Sequence, residues 1–372
     1  MKKIILILTC LLFIPAIVFF AMNSRDEPLD PKAKALLNLQ IQDVDDNAYP
    51  FLLGFDCAPE QNPQTWGKER IRLSEVGEES TLTGNFTVED SNNELCNFTE
   101  TNCLKKYLDA PQTIQRVLKD NQLWLLRYRQ LIAHKHYAYI SSFSINSPLP
   151  PFGAIRDAQK LLQTDIVLDP LLMTDGLDED IEFWRMILSQ PTDLITKIVA
   201  VATLRSSYSF LNQLLEQYPE LRPRFKQQLR SLNNDEKSLA HSMDFEFIIM
   251  AKIILNLQYE KDIENVCNIE NVLQPPFFFD SKWLRRMSFS FYKKNATINQ
   301  CYHYIDKQQN ATLQGSAAME TVYQEEVEKS TKIFFYAYNP IGKILLSIGI
   351  APMHSYQKRI EDLDSLITEL MN

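Results

Sequence analysis

Six cysteines, five histidines and a surplus of acids are the side chains of this 372-residue chain that could do chemistry. Asp43-x-Asp45-x-Asn47 opens like a calcium loop, in which alternate oxygens converge on one hard cation. The sixth position is Ala48 where a glycine must turn, and the twelfth is Gly54 where a bidentate glutamate must close the cage, so solvated acids before a helix are the better reading. His134-x-His136 offers two imidazoles, but that spacing converges on a metal only from a strand, and no third ligand is in register. A histidine-rich helix end, where a cation meets the negative pole of the dipole, accounts for the pair. No G-x-S-x-G elbow and no H-E-x-x-H motif occurs. Cys57 is the most tempting nucleophile, yet the adjacent Asp56 raises a thiol pKa and suppresses the thiolate, the reverse of activation. The acids Asp178/Asp180 and Glu361/Asp362/Asp364 could serve glycan hydrolysis, but a solvated helix face explains them in a chain so rich in carboxylates. The sequence therefore points to no catalytic, cofactor-binding or metal-ligating residue, and no cofactor is expected.

The compartment follows from the first 22 residues. Residues 4–22 carry no charge and lie directly behind Met1-Lys2-Lys3. Such a run rises to about 28 Å as a helix, close to the ~30 Å hydrocarbon thickness of a bilayer. A cleavable signal peptide would have a shorter apolar core and small residues before the cut, and Ala21-Met22-Asn23 supplies neither; lipidation at Cys10 is a further alternative, with Ile-Leu-Thr-Cys only loosely matching a lipobox. Retention as a signal anchor is the expectation. Lys2 and Lys3 precede the span, while Arg25 is followed by Asp26, Glu27 and Asp30, so the N-terminus stays inside and the body is exported. The Met-Lys-Lys start suggests a bacterium, which places the chain in the inner membrane as a single-pass protein with its body in the periplasm.

An oxidising compartment pairs thiols where geometry permits. Cys96 and Cys103 bracket six polar residues, and Cys267 and Cys301 bracket a long aromatic loop; these are the two expected bridges, leaving Cys57 free or joined to another chain. A zinc site lacks C-x-x-C spacing and a histidine in register. With the two lysines of residues 1–22 set aside, the body holds 36 basic against 47 acidic residues, a net of −11. That balance argues against nucleic acid and against direct adhesion to an anionic lipid face.

The elements that must position these groups are helical. Nine glycines in the whole chain are few, and apolar spacing of three and four recurs over long stretches, so a mainly α fold is expected, with loop-rich segments clipped by disulfides. Residues 23–42 read as a juxtamembrane stem, 43–150 as an N-terminal helical and loop region and 151–372 as a C-terminal helical region, with Pro148-Leu-Pro-Pro-Phe-Gly153 as the boundary. Ile114, Val117, Leu118, Trp124, Leu125, Tyr128, Leu131 and Ile132 predict one amphipathic helix from Ala110 onward. Thr192 can cap a long helix to about Tyr218, where Pro219 stops it. Residues 236–258 predict a central helix apolar on more than one face. The 269–300 segment, with Phe277-Phe-Phe279, Trp283 and Phe289-x-Phe-Tyr292, reads as an aromatic loop, more a core element than an exposed docking patch. Helices are predicted near 311–333 and 354–371, and the apolar run from Asn339 to Ile350, interrupted by Lys343, reads as a buried helix rather than a second span.

Asn47-Ala-Tyr-Pro-Phe-Leu-Leu-Gly-Phe55 with Ala58-Pro59, the Cys96…Cys103-Leu clip followed by Leu123-Trp-Leu-Leu-Arg-Tyr128, Lys294-Asn-Ala-Thr-Ile-Asn299, and Asn339-Pro-Ile-Gly-Lys-Ile-Leu345 leading to Tyr356…Arg359-x-x-Asp362-Leu-Asp364 together resemble a group of signal-anchored envelope proteins of proteobacteria to which no activity is assigned. The resemblance is spread over most of the body and implies location and class only. Two functional classes then compete: a membrane-tethered periplasmic interaction or scaffold module that meets an envelope protein, which is the preferred reading, and an envelope hydrolase acting on cell-wall or glycan material. The lack of a catalytic set favours the non-enzymatic class.

Overall fold

The computed structural model describes Ile14 and residues 17–76, 87–88, 94–100, 102–144, 146–170, 174–257 and 291–371. Every regular element among them is helical, and the nearest approach to a strand is one parallel bridge between Asn47 and His136. In chain order the α-helices are α1 (Pro31–Leu37), α2 (Ala48–Leu53), α3 (Pro63–Glu75), α4 (Cys103–Leu108), α5 (Pro111–Asp120), α6 (Gln122–Ile132), α7 (Phe152–Leu168) and α8 (Asp175–Ser189). They continue with α9 (Leu194–Gln217), α10 (Asn234–Lys237), α11 (Ala240–Asn256), α12 (Lys294–Thr312), α13 (Ser316–Ser330), α14 (Pro340–Gly349) and α15 (His354–Met371). The chain condenses into two units, one from residues up to Leu39 with Glu246–Ser355, the other from Gln40–Phe245 with Tyr356–Asn372.

The second unit is built around α9. Asp193, not Thr192, caps this helix: its carboxylate accepts from the Thr196 backbone N–H at 2.9 Å and from the Thr196 hydroxyl at 2.6 Å. Pro219, two residues past its end, cannot continue the ladder. By length and composition α9 could cross a membrane, but 67% of its apolar window is buried inside the protein, so it is the helix that α7 and α8 pack around. The single helix expected from Ala110 is instead two, α5 and α6, broken at Asn121, whose side chain turns back to the Val117 carbonyl. Pro148–Gly153 leads from α6 towards α7, and α7 packs directly on α5 and α6. Gly67 lets α3 press onto α2, since a Cβ there would stand 1.7 Å from the Pro50 carbonyl oxygen. The C-terminal α15 closes the unit: Asp364 accepts from the Leu232 N–H at 2.7 Å and pairs with Lys237 at 2.6 Å.

In the first unit α12 is the central element, packed by α13 and α14. Helix begins at Lys294, inside the stretch expected to be a loop; Phe277, Phe278, Phe279, Trp283 and Phe289 lie outside the described residues. Tyr292 is buried and donates to the Ile254 carbonyl.

Candidate functional site

The acids and cations singled out by spacing are, in the second unit, mostly internal fasteners. Asp180 is fully buried and does not lie on a solvated helix face. It accepts from the Tyr128 hydroxyl of α6, from Gln159 of α7 at 2.9 Å and from the Ser207 hydroxyl of α9, while Trp184 donates to the same Tyr128 oxygen at 2.9 Å. Burial pushes its carboxyl pKa up, against the lowering effect of those donors. Four helices are thus pinned at one carboxylate. Asp178, two residues earlier in α8, is raised to about 6, chiefly by burial, although Arg224 lies 3.8 Å off and opposes the shift.

Sequence reasoning missed Arg185, whose side chain is 1% exposed. Its five N–H groups meet five acceptors: both oxygens of Glu236 at 2.8 Å, the Tyr208 hydroxyl at 2.8 Å, and the carbonyls of Arg230 and Ser231 at 2.9 and 3.1 Å. A guanidinium has no further donors to offer, so the group is saturated. Glu236 also closes a capping box with Asn233 at the start of α10. The one signal in the sequence was Asn233-x-x-Glu236, a capping-box pattern. Arg127 does a similar task, donating to the carbonyls of Phe55, Cys57 and Ala58 and holding the turn after α2.

The remaining candidates fall the same way. Asn47 satisfies all four of its side-chain hydrogen bonds, with Asp43, the Tyr49 N–H and both backbone groups of Ala138, so the Asp43/Asp45/Asn47 stretch ends as a helix cap. His134 follows the end of α6, with Nδ1 2.7 Å from Asp46. Among the described residues no three His, Cys, Asp or Glu side chains converge as a metal group. Cys57 is buried, and burial first, then Asp56, raises its thiol pKa against Arg127. Cys96 and Cys103 form a disulfide with Cα atoms 5.8 Å apart. The clip docks on α9, where Gln213 donates to the carbonyls of Phe98 and Glu100 and accepts from the Leu104 N–H, and Phe98 packs 4.4 Å from Phe210. Cys301 is buried in α12; Cys267, its expected partner, lies outside the described residues.

The first unit is arranged differently. Its stem is stitched into α12: Asp26 accepts from the Asn295 and Ala296 N–H groups at 2.9 and 3.1 Å, placing a carboxylate at the positive end of that helix. Asn299 donates to Glu27 at 2.7 Å and to the Pro28 carbonyl at 2.9 Å, and accepts from the Asp30 N–H at 2.7 Å. Beside this seam opens a cleft of about 340 Å³, lined among others by Glu27, Asn299, His303, Tyr304, Lys307 and Lys343. The volume suits a small ligand, but its charges are largely engaged from within. Lys329 pairs with Glu326 at 2.9 Å. Lys343 donates to the Phe335 carbonyl and lies 4.6 Å over the Phe335 ring, and burial lowers its pKa.

Asn23 and Asn339 form a second seam. Asn23 donates to the Ala337 carbonyl at 2.8 Å, and the Asn339 N–H donates to Asn23 Oδ1 at 2.8 Å. Asn339 itself, at a left-handed φ of 50°, caps α14 and is held by the Lys293 N–H and by Thr297. Gly342 is required here, because a Cβ would stand 2.0 Å from Thr297 Oγ1.

Fold and site together define an all-helical protein, among its described residues, with internal polar crosslinks at Asp180 and Arg185 and a mixed-charge cleft beside the stem. Comparison with protein-family models, curated proteins and solved structures finds no significant match.

Proposed function

We propose that the chain is a membrane-tethered interaction or scaffold protein of the bacterial envelope, held by residues 4–22 in the inner membrane with its body in the periplasm. The observation that carries this reading is the stem. Residues 23–30 are bonded into the first unit, so the apolar run leads directly out of a folded body rather than from a slack linker. The described end of that run presents Ile14, Ile17, Val18, Phe20 and Met22 at the surface, each at least 47% exposed. Apolar side chains in such a row call for a medium other than water. The Cys96–Cys103 disulfide is in keeping with an oxidising compartment. The non-enzymatic class is supported by the way the carboxylates of the second unit are spent on joining helices.

A reporter fused after Asn372 tests the placement: alkaline phosphatase activity is expected and cytosolic fluorescence of a fused fluorescent protein is not. Crosslinking of the detergent-solubilised full-length protein, followed by mass spectrometry, is expected to recover an envelope protein. The second reading, an envelope hydrolase, draws on Glu27 and Glu326, which both line the cleft. It requires turnover of a wall fragment that Glu27→Gln and Glu326→Gln each abolish.

A further inference from the structure

The helix expected to be buried, α14, is half bare. Only Gly342 and Leu346 are buried along it, whereas Ile344 is 40% and Ile348 72% exposed. These two stand four residues apart and so share one face. Phe334, in the turn that leads into the helix, is 88% exposed. Three large apolar side chains from one short segment are left to the solvent.

Their position is fixed by the Asn23–Asn339 seam. Asn23 is the first residue after the apolar run, and its side chain bonds to residues 337 and 339, which immediately precede α14. Phe19 and Phe20 also pack on Phe291, at 5.0 and 5.4 Å between ring centroids. If residues 4–22 span a bilayer, its surface must pass near residue 23, at the height where α14 starts. Ile344 and Ile348 then lie about 6 Å and about 12 Å along the helix from its first residue, Pro340. The apolar medium that residues 4–22 would then occupy is the one proposed here to cover them.

We propose that Phe334 and the Ile344/Ile348 face of α14 insert into the interfacial layer of the same bilayer, giving the first unit a second membrane contact beside its transmembrane helix. The inference rests on the tethered reading above. Insertion is apolar rather than electrostatic: the body carries a net of −11 once the two lysines of residues 1–22 are set aside, and the one cation of α14, Lys343, is turned to the Phe335 carbonyl. The contact therefore suits a zwitterionic surface as well as an anionic one.

The test uses the full-length protein in phosphatidylcholine vesicles, with an environment-sensitive fluorescent amino acid placed singly at Phe20, Phe334 or Ile348. Nitroxide-bearing phosphatidylcholine reports lipid contact, and iodide in the buffer reports water. Emission from all three positions is expected to be roughly halved by the nitroxide lipid and little changed by iodide. Lipid quenching at Phe20 with iodide quenching at both Phe334 and Ile348 overturns the second contact and leaves the anchor standing. Protection of both positions from both quenchers also overturns it, since a protein surface then covers the face. Absence of lipid quenching at all three removes the tether and the contact together. Both sites are exposed, so substitution there leaves the fold intact, and each serves as a check on the other.

Discussion

The two units differ in their most conspicuous side chains. In the second, charged groups are buried and met from within at two places above all, Arg185 with its five acceptors and Asp180 with its three donors. In the first, apolar groups are exposed and nothing within the described protein answers Phe334 or Ile348. A saturated buried network specifies one packing of its own helices and offers little to a partner. An uncovered apolar face does the reverse: it contributes almost nothing to folding and gains free energy only when another medium covers it.

The sharpest way to break this contrast is to remove a buried fastener. Arg185→Met leaves the buried Glu236 carboxylate with only Arg230, at 3.5 Å, to offset its charge, and orphans the Arg230 and Ser231 carbonyls; it is expected to lower the stability of the second unit by about 3 kcal/mol, read from the urea midpoint by tryptophan fluorescence. Replacing Cys96 and Cys103 together by serine frees a loop whose ends are seven residues apart in sequence. A loss of about 2 kcal/mol is expected, matched by reduction of the native protein; no difference between reduced and oxidised forms would mean that the Phe98 and Gln213 contacts alone hold the clip.

A smaller effect comes from Asp178. Its folded pKa, about 6, lies above the ordinary carboxylate value, so the folded state holds the proton more tightly. The associated stability is present at low pH and is lost as pH rises from about 4 through 6. Asp178→Asn is expected to remove that part of the slope, on the order of 1 kcal/mol for this half-buried group, in unfolding curves taken at pH 4 and pH 7. Smallest of all, Ile348→Ser is expected to change the unfolding free energy by less than about 0.5 kcal/mol, because the side chain is mostly in solvent already. A large loss would mean that α14 is held by its apolar face and that the two units differ less than they look.

Much of the helical content was legible. The run from Leu194 to Gln217 shows its period and a terminating proline, and those signals are local, although the cap falls on Asp193 and not on the expected Thr192. So was the Cys96–Cys103 clip, since a polar hexapeptide between two cysteines keeps them within bridging reach. The break at Asn121 was not legible: the apolar period runs through it without a fault, and only the side chain's bond to the Val117 carbonyl marks the turn. Asp180 reads as one more acid in an acidic helix start, and its burial depends on Tyr128, Gln159 and Ser207 arriving from three other helices. The stem reads as a polar linker, and nothing near Asp26 in the sequence announces that it caps α12, 269 residues away from Asn295.

By itself the sequence determined what depends on neighbours along the chain: the helical class, the ends of a few helices such as the one closing the chain at His354–Met371, the disulfide clip and an uncharged leading run long enough to span a bilayer. Tertiary structure alone decided which charges went inside and which apolar groups stayed out. Burial is set by what packs opposite a residue, and for Asp180, Arg185, Asn23 and Ile348 the deciding partners, or their absence, lie on elements brought close only by the fold.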